Sequence, residues 1–507
     1  MATVLIRSLA NAFEASALSS AAKTLLVVGS KEALATLPSS LSAAVPSHQT
    51  AAIAAGFTEL STAFDAAGKA STLAVLSTKS SRHFGPIRGD LLHDIVSKNA
   101  QKDKDGDADV VVVLDKADRD SIVTAALSVA RAFPLYTQKQ KPNPKKQINL
   151  HLLHPSSSAT PSSISTASLQ TLINAVRDAA QLVDTPPDQL NPTTYADIVR
   201  RVHAEKLKDI GVELEVIQGT ELQKRGYGAI WAVGKASENL PALVILSYKP
   251  SNAKKNVAWV GKGITFDTGG LAIKSKDGMP TMKVDMGGSA AVFQGFVATV
   301  LTTPPKNFAL HAILCLAENS VDQISFRPDD VVTAYSGKTI EINNTDAEGR
   351  LVLSDGASHA CKHLSADVII DMATLTGAQA YATGLRHGGV LSNNESFEQT
   401  VVSAGRASGD LAYPLIFCPE LIGIGTLMKS EVADMKNSAS DRSNAPSTGA
   451  GMFVHSHLSP EEKWVENGEG LWAHIDMAYP VTVGARGTGW GVGLLTTLAG
   501  KLDVQFA

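Results

Sequence analysis

Three observations predict an α/β chain of two domains. Short β-branched runs alternate with Ala-rich helical stretches in the first third, the alternation resumes after residue 240, and a Ser- and Pro-rich segment separates the two. In the first part Leu25 to Val28, Leu73 to Leu76, Val110 to Leu114 and Ile148 to Leu153 read as strands, and Asp120 to Ala132 as a helix. Pro155 to Thr166 has linker chemistry. Leu169, Leu172, Ile173, Val176, Ala179, Ala180 and Val183 recur at helical spacing, so a connecting helix runs to Val183 and stops before Pro186-Pro187. Beyond it, Leu243 to Leu246, Val257 to Val260, Ala309 to Leu316 and Val368 to Ile370 predict a mixed, buried sheet covered by helices. The expected division is an N-terminal α/β domain over residues 1–160, a linker and connecting helix over 161–190, and a larger α/β domain over 191–507.

With 45 Lys and Arg against 49 Asp and Glu, the formal charge of -4 offers no clustered basic surface for nucleic acid or an anionic membrane. The three cysteines, Cys315, Cys361 and Cys418, are scattered and odd in number, which suits a reducing compartment and a role as small core residues. No apolar run of about 20 residues stands out as a membrane span. The first 23 residues carry Ser and Ala but also Glu14 and a single arginine, unlike an Arg-rich, acid-free transit peptide. The expected location is therefore cytoplasmic. Gln138 to Lys146 reads as an exposed basic loop and Asp103 to Asp109 as an acidic turn.

Several familiar motifs fail on inspection. Asp267-Thr268-Gly269 has the aspartic-protease tripeptide but no second copy to share its proton. Ser336-Gly337-Lys338-Thr339 imitates a phosphate loop, yet Val332 stands where its first glycine is required. Gly-x-Ser-x-Gly and His-Glu-x-x-His are absent.

The informative segment is Asn344-Thr345-Asp346-Ala347-Glu348-Gly349-Arg350-Leu351. In an extended segment residues two apart face one side, so Asp346, Glu348 and Arg350 are predicted to point into one cavity. Upstream stand Lys262, Asp267 and Lys274, then Asp285. Two divalent ions about 3.5–4 Å apart need oxygen donors and a bridging carboxylate, which Asp267, Asp285, Asp346 and Glu348 supply. Glycines at 261, 263, 269, 270, 287 and 288 allow the backbone to approach an ion. Four carboxylates against two dications leave a near-neutral centre if Lys262 binds as the free amine, while Lys274 and Arg350 add positive charge beside a forming oxyanion. A lone lysine is usually a solvated charge and a lone Asp before Thr-Gly-Gly a turn residue; their joint occurrence favours a dinuclear metallohydrolase. His455, His457 and His474 lack zinc spacing and are read as structural.

At these residues the chain closely resembles the leucyl aminopeptidase family, two-zinc cytosolic aminopeptidases whose signature is Asn-Thr-Asp-Ala-Glu-Gly-Arg-Leu. The likeness runs from about Leu169 to Leu498 and takes in Pro186 to Pro192, Ala317-Glu318-Asn319, Ala373 to Ala378 and Trp472 to Asp476. Met279 to Lys283 and Ala433 to Ser438 look most like its probable aminopeptidase-like branch.

The resemblance implies that Lys262, Asp267, Asp285 and Glu348 hold one metal and that Asp267, Asp346 and Glu348 hold a second, with zinc or manganese as the ions. It implies that Lys274 polarises the scissile carbonyl and that Arg350 holds a bicarbonate acting as general base toward a metal-bridging water. Met282, Thr374, Gly377 and Ala478 then line an apolar pocket for an N-terminal Leu or Met; Val481 stands where relatives carry Met and alters its depth. Capture of the free α-amine restricts cleavage to N-terminal residues. The resemblance further implies a macro-like N-terminal domain and a homohexamer whose internal cavity admits short peptides. A reading from another class is a catalytically weak scaffold or binding protein on the same fold. Loss of a ligand would favour it, and from Lys262 to Arg350 none is missing.

Overall fold

The structure, a computed structural model, describes residues 2–507 apart from 11–16, 38, 67, 101–105, 117, 141–144, 155–163 and 442. The Ser-rich segment 155–163, the start of the acidic stretch and the middle of the basic one lie outside the described residues. Two compact units result, Met1–Asp178 with Arg406–Gly409, and Ala179–Gly405 with Asp410–Ala507. The division falls inside the helix Thr166–Asp184.

In the first unit, strands β1 (Ala2–Ala10), β2 (Ala22–Gly29), β3 (Leu60–Phe64), β4 (Ala70–Val75), β5 (Asp107–Val113) and β6 (Lys146–Leu153) form a sheet in the order β1-β6-β5-β2-β4-β3. Every neighbouring pair is parallel except β3 with β4. Burial is continuous along the middle of β2 and β5, as sheets covered on both faces require. The two edges, β1 and β3, were not foreseen. Among the described residues of β1 Val4 and Ser8 are buried, its short run Val4-Leu5-Ile6 stopping at Arg7, and β3 alternates exposed with half-buried residues, so neither reads as a strand covered on both faces.

The second unit holds β7 (Glu213–Gln218), β8 (Ala242–Tyr248), β9 (Lys255–Asp267), β10 (Phe308–Asn319), β11 (Val331–Thr333), β12 (Thr339–Glu341), β13 (Val368–Ala373), β14 (Gly388–Ser392), β15 (Ala412–Pro414), β16 (Met435–Lys436) and β17 (Leu471–Asp476). Eight of them make a mixed sheet in the order β15-β14-β17-β13-β9-β10-β8-β7. Strands β17, β13, β9 and β10 run parallel, so their C-terminal ends at Asp476, Ala373, Asp267 and Asn319 share one edge. That is where open α/β sheets collect their sites. Strands β11, β12 and β16 form a separate three-stranded sheet in the order β11-β12-β16.

Helices Gly287–Thr302 and Gly349–Leu364 cover opposite faces of β9. A Cβ on Gly261 would meet Ser289 of the first, while the neighbouring Val260 side chain meets Gly356 of the second. Met282–Thr302 corrects one reading of the composition: over 21 residues it is apolar enough to cross a membrane, yet it is mostly buried inside the protein, as a core helix is. Close approach of this helix to β13 depends on Gly288, where a Cβ would lie 2.1 Å from the Met372 carbonyl oxygen. Gly288→Ala is therefore expected to cost about 1–3 kcal/mol or more in stability through overpacking. A thermal melt of the variant against wild type checks this, and an unchanged melting temperature contradicts it.

Candidate metal centre

Strand β9 delivers Lys262 and Asp267 to the shared edge, and the turn Met282–Val284 sets Asp285 beside them. Oxygens of Asp267, Asp285 and Glu348 lie within 4.8 Å of one another, and all three residues are buried. Lys262 Nζ sits 2.9 Å from both Asp285 Oδ2 and Glu348 Oε1 and donates to the Thr374 carbonyl at 3.0 Å. On the other side of Asp267, Lys274 Nζ pairs with Asp267 Oδ2 at 2.7 Å and Asp346 Oδ1 at 2.6 Å. The structure therefore brings all four predicted carboxylates and both lysines together, with Asp267 placed between two groups.

The route by which Asp346 and Glu348 arrive differs from the expectation of an extended segment. Thr345 and Asp346 form a turn, Glu348 has helical dihedrals (φ −78°, ψ −33°), and the helix begins at Gly349. Asp346, Glu348 and Arg350 consequently face different partners: Lys274, Lys262 and the Asn437 carbonyl, the last accepting from Arg350 Nη1 at 3.1 Å. The period-2 argument fails because the alternating pattern ends a loop and opens a helix. Gly269 has φ +85°, and a Cβ there would lie 2.8 Å from Asp346 Oδ1, so only glycine lets this turn pass under the carboxylate.

Electrostatically the centre is short of cations. Burial raises Asp285 well above the ordinary carboxylate range against the pull of Lys262, with Glu348 and Asp267 adding to the rise. Burial and then Asp267 raise Glu348 likewise, and the same two causes raise Asp346 against Lys274. Burial opposes the charge on Lys262, but Asp285, Glu348 and Asp267 outweigh it and hold the ammonium above the usual lysine range. Burial alone does not deliver a free amine there; a cation among the carboxylates has to displace the proton. Glu348 Oε2 is buried without a hydrogen bond among the described residues. An acceptor left bare beside two other carboxylates fits an oxygen-seeking divalent ion.

The catalytic-domain description of the cytosol aminopeptidase family matches residues 177–496, and that of the M17 aminopeptidase N-terminal domain 2 matches residues 23–142. The chain belongs to the M17 cytosol aminopeptidase family. This aminopeptidase is 45% identical over 436 residues to the probable aminopeptidase NPEPL1 of Homo sapiens, covering 85% of this chain and 79% of the relative. It is 46% identical over 335 residues to leucine aminopeptidase 1 of Caenorhabditis elegans, covering 66% of this chain and 65% of the relative. The solved structure of Caenorhabditis elegans leucine aminopeptidase is similar with a TM-score of 0.86 at 34% identity, covering 98% of each chain. That of leucyl aminopeptidase from Trypanosoma brucei in complex with actinonin gives 0.84 at 35% identity, covering 95% of this chain and 92% of the other.

Around the centre of this M17 aminopeptidase, Thr374 follows β13 and donates its hydroxyl to Asp285 Oδ1 at 2.9 Å. Met282 is half-buried in the turn before Asp285, Gly377 is exposed at the start of helix Ala378–Thr383, and Ala478 is half-buried after β17. Val481 is buried with its Cγ2 2.4 Å from where a Gly287 Cβ would stand, next to the Thr374 methyl.

Two buried residues that sequence reasoning passed over hold this frame. Asn319 Nδ2 donates to Asp267 Oδ1 at 2.9 Å and to the Thr345 carbonyl at 3.0 Å, joining β10, β9 and the Asp346 turn. Asp476 accepts from Leu375 N at 3.1 Å, Thr376 Oγ1 at 2.7 Å and Ala478 N at 3.3 Å, tying together the two pocket segments. Both lie in motifs that carried the family likeness, but a buried Asn or Asp has no spacing signal of its own. The three histidines stay structural: His474 faces Asp371, His457 Nδ1 lies 2.7 Å from Ser336 Oγ, and His455 Nε2 2.7 Å from the Trp464 carbonyl.

Proposed function

We propose that this M17 aminopeptidase is a metal-dependent exopeptidase that removes an apolar N-terminal residue, such as Leu or Met, from short peptides. The observation that carries the reading is the buried Asp267, Asp285 and Glu348 cluster joined to Lys262. In it, Lys262, Asp267, Asp285 and Glu348 hold one divalent ion and Asp267, Asp346 and Glu348 the other, zinc or manganese serving. Bound there, two divalent ions would lower the pKa of the attacking water and act as a Lewis acid toward the peptide carbonyl.

The remaining work falls to the chain. Lys274, kept charged by Asp267 and Asp346 against burial, is available to the carbonyl oxygen as it becomes an oxyanion. Arg350, oriented by the Asn437 carbonyl, would hold a bicarbonate able to take the proton of the attacking water. Met282, Thr374, Gly377 and Ala478 receive the first side chain, and the buried Val481 lies with the Thr374 methyl beside Gly287. Selectivity among apolar side chains differing by a methylene is about 10- to 200-fold. A cytoplasmic homohexamer completes the reading; relatives named probable cytosol aminopeptidase, such as that of Corynebacterium diphtheriae at 42% identity, support the compartment.

The test is release of free amino acid from Xaa-Gly dipeptides and their N-acetylated forms, with zinc- and manganese-loaded protein beside an Asp346→Ala, Glu348→Ala double variant. Only unblocked peptides should be cleaved, Leu and Met best, with nothing from the variant. Cleavage of the acetylated forms contradicts amine capture. Silence in protein shown to bind two ions per chain favours the scaffold reading instead.

A further inference from the structure

The segment Asp434 to Ser438 does no chemistry in the reading above, yet most of its polar groups are directed at the strand and loop that carry Asp346 and Glu348. Strand β16 lies parallel to β12, with Met435 opposite Ile340 and Lys436 opposite Glu341. Ahead of it, Asp434 Oδ2 accepts from Thr339 N at 2.7 Å and Thr339 Oγ1 at 2.8 Å. After it, the Ser438 carbonyl accepts from Asn343 Nδ2 at 2.9 Å.

The centre of this arrangement is Asn437, which is fully buried. Its Oδ1 accepts from Asn343 N at 2.9 Å and from Asn344 N at 3.2 Å. Its Nδ2 donates to the Asn344 carbonyl at 2.7 Å and, more weakly, to the Ala347 carbonyl at 3.4 Å. Its own carbonyl accepts from Arg350 Nη1 at 3.1 Å. One side chain thus occupies backbone donors and acceptors on both sides of Thr345-Asp346, where no regular structure would satisfy them. The loop enters from β12 and leaves into helix Gly349–Leu364, so the Asn437 amide is what spans the gap between two rigid elements.

We infer that Asn437 is the positioning residue of the metal centre: it sets the separation of Asp346 and Glu348 and, through its carbonyl, the direction of Arg350. The inference rests on the reading that these carboxylates hold divalent ions. Asparagine is the fitting residue because two N–H groups and two carbonyls must be met by one short side chain. Aspartate retains only the acceptor half, and alanine neither.

The test compares wild type, Asn437→Ala and Asn437→Asp in manganese binding by calorimetry after chelator treatment, and in kcat and KM for Leu-Gly. Asn437→Ala is expected to weaken manganese binding about 10- to 100-fold, as loss of groups that orient ligands does. Its kcat should fall to match, with KM changed less than about threefold. Asn437→Asp keeps the acceptor for the two amide donors but turns an oxygen toward the Asn344 and Ala347 carbonyls, so its loss should fall in the same range. If the alanine variant does not melt cooperatively, the aspartate variant carries the comparison. Ion affinities and kcat within twofold of wild type in the folded variants overturn the inference while leaving the peptidase reading intact. A wild type that binds no manganese and releases no leucine defeats the peptidase reading itself.

Discussion

Glu348→Gln is expected to lower kcat/KM at least about a thousandfold, roughly 4 kcal/mol of transition-state stabilisation, while raising the melting temperature of chelator-treated protein by a few degrees. The opposite signs come from one fact. Without cations, Glu348 is a buried carboxylate whose pKa is pushed up by burial and by Asp267, so its charged form is disfavoured in the folded state at neutral pH. Glutamine keeps the shape and removes the charge, and Lys262 still meets Asp285 at 2.9 Å and the Thr374 carbonyl at 3.0 Å. With divalent ions present the balance inverts, because the charge that strained the empty cluster is the charge that binds. The rise in melting temperature on adding zinc or manganese should therefore shrink in the variant. Melting curves with and without chelator, together with Leu-Gly kinetics, decide the matter. A variant less stable than wild type without metal would show that the Lys262 pair, and not repulsion among carboxylates, dominates the cluster.

The same residues show why part of this protein was legible in its sequence. The long strands β9 and β10 are buried along most of their length, so their apolar runs announced them, and their C-terminal ends carry Asp267 and Asn319. The edges were silent: β1 and β3 are half solvent-facing, and β7 alternates exposed with half-buried residues up to the buried Ile217. For the site, the identity of the carboxylates was readable because Asp and Glu close together among glycines are costly without a cation. Their geometry was not. Alternation at Asp346, Glu348 and Arg350 suggested a strand, whereas the loop turns at Thr345 and becomes helical at Gly349. What imposes that turn is an amide 90 residues further on, at Asn437, reached only because β16 docks on β12. Long-range hydrogen bonds of this kind leave no periodicity for local pattern reading to find.

Acid sensitivity is the second large effect expected, and it comes from histidines outside the metal centre. Burial lowers His457 to about 3, with Lys338 adding to the shift. Burial likewise lowers His359 and His311 to about 4, aided by His363 and by Lys249 respectively. Each ring sits neutral against a hydroxyl: Ser336 Oγ 2.7 Å from His457 Nδ1, Tyr227 Oη 2.8 Å from His359 Nδ1, and Ser247 Oγ 2.8 Å from His311 Nδ1. Because these folded values lie below the unfolded value near 6.5, the unfolded chain binds more protons between them, and stability falls as pH drops through that window. At pH 5 the difference is about 1.5 units, or roughly 2 kcal/mol for each histidine. Asp355, raised to about 7 by burial despite accepting from Ile230 N, Tyr335 N and Ala229 N, acts in the opposite sense over pH 4–7. A single substitution isolates one contribution. His457→Gln should be less stable than wild type at pH 7, yet lose about 2 kcal/mol less between pH 7 and 5. Denaturant unfolding of chelator-treated protein at pH 7, 6 and 5 measures both slopes. Parallel slopes would mean that His457 is charged in the folded protein, with Ser336 and its surroundings accommodating the imidazolium.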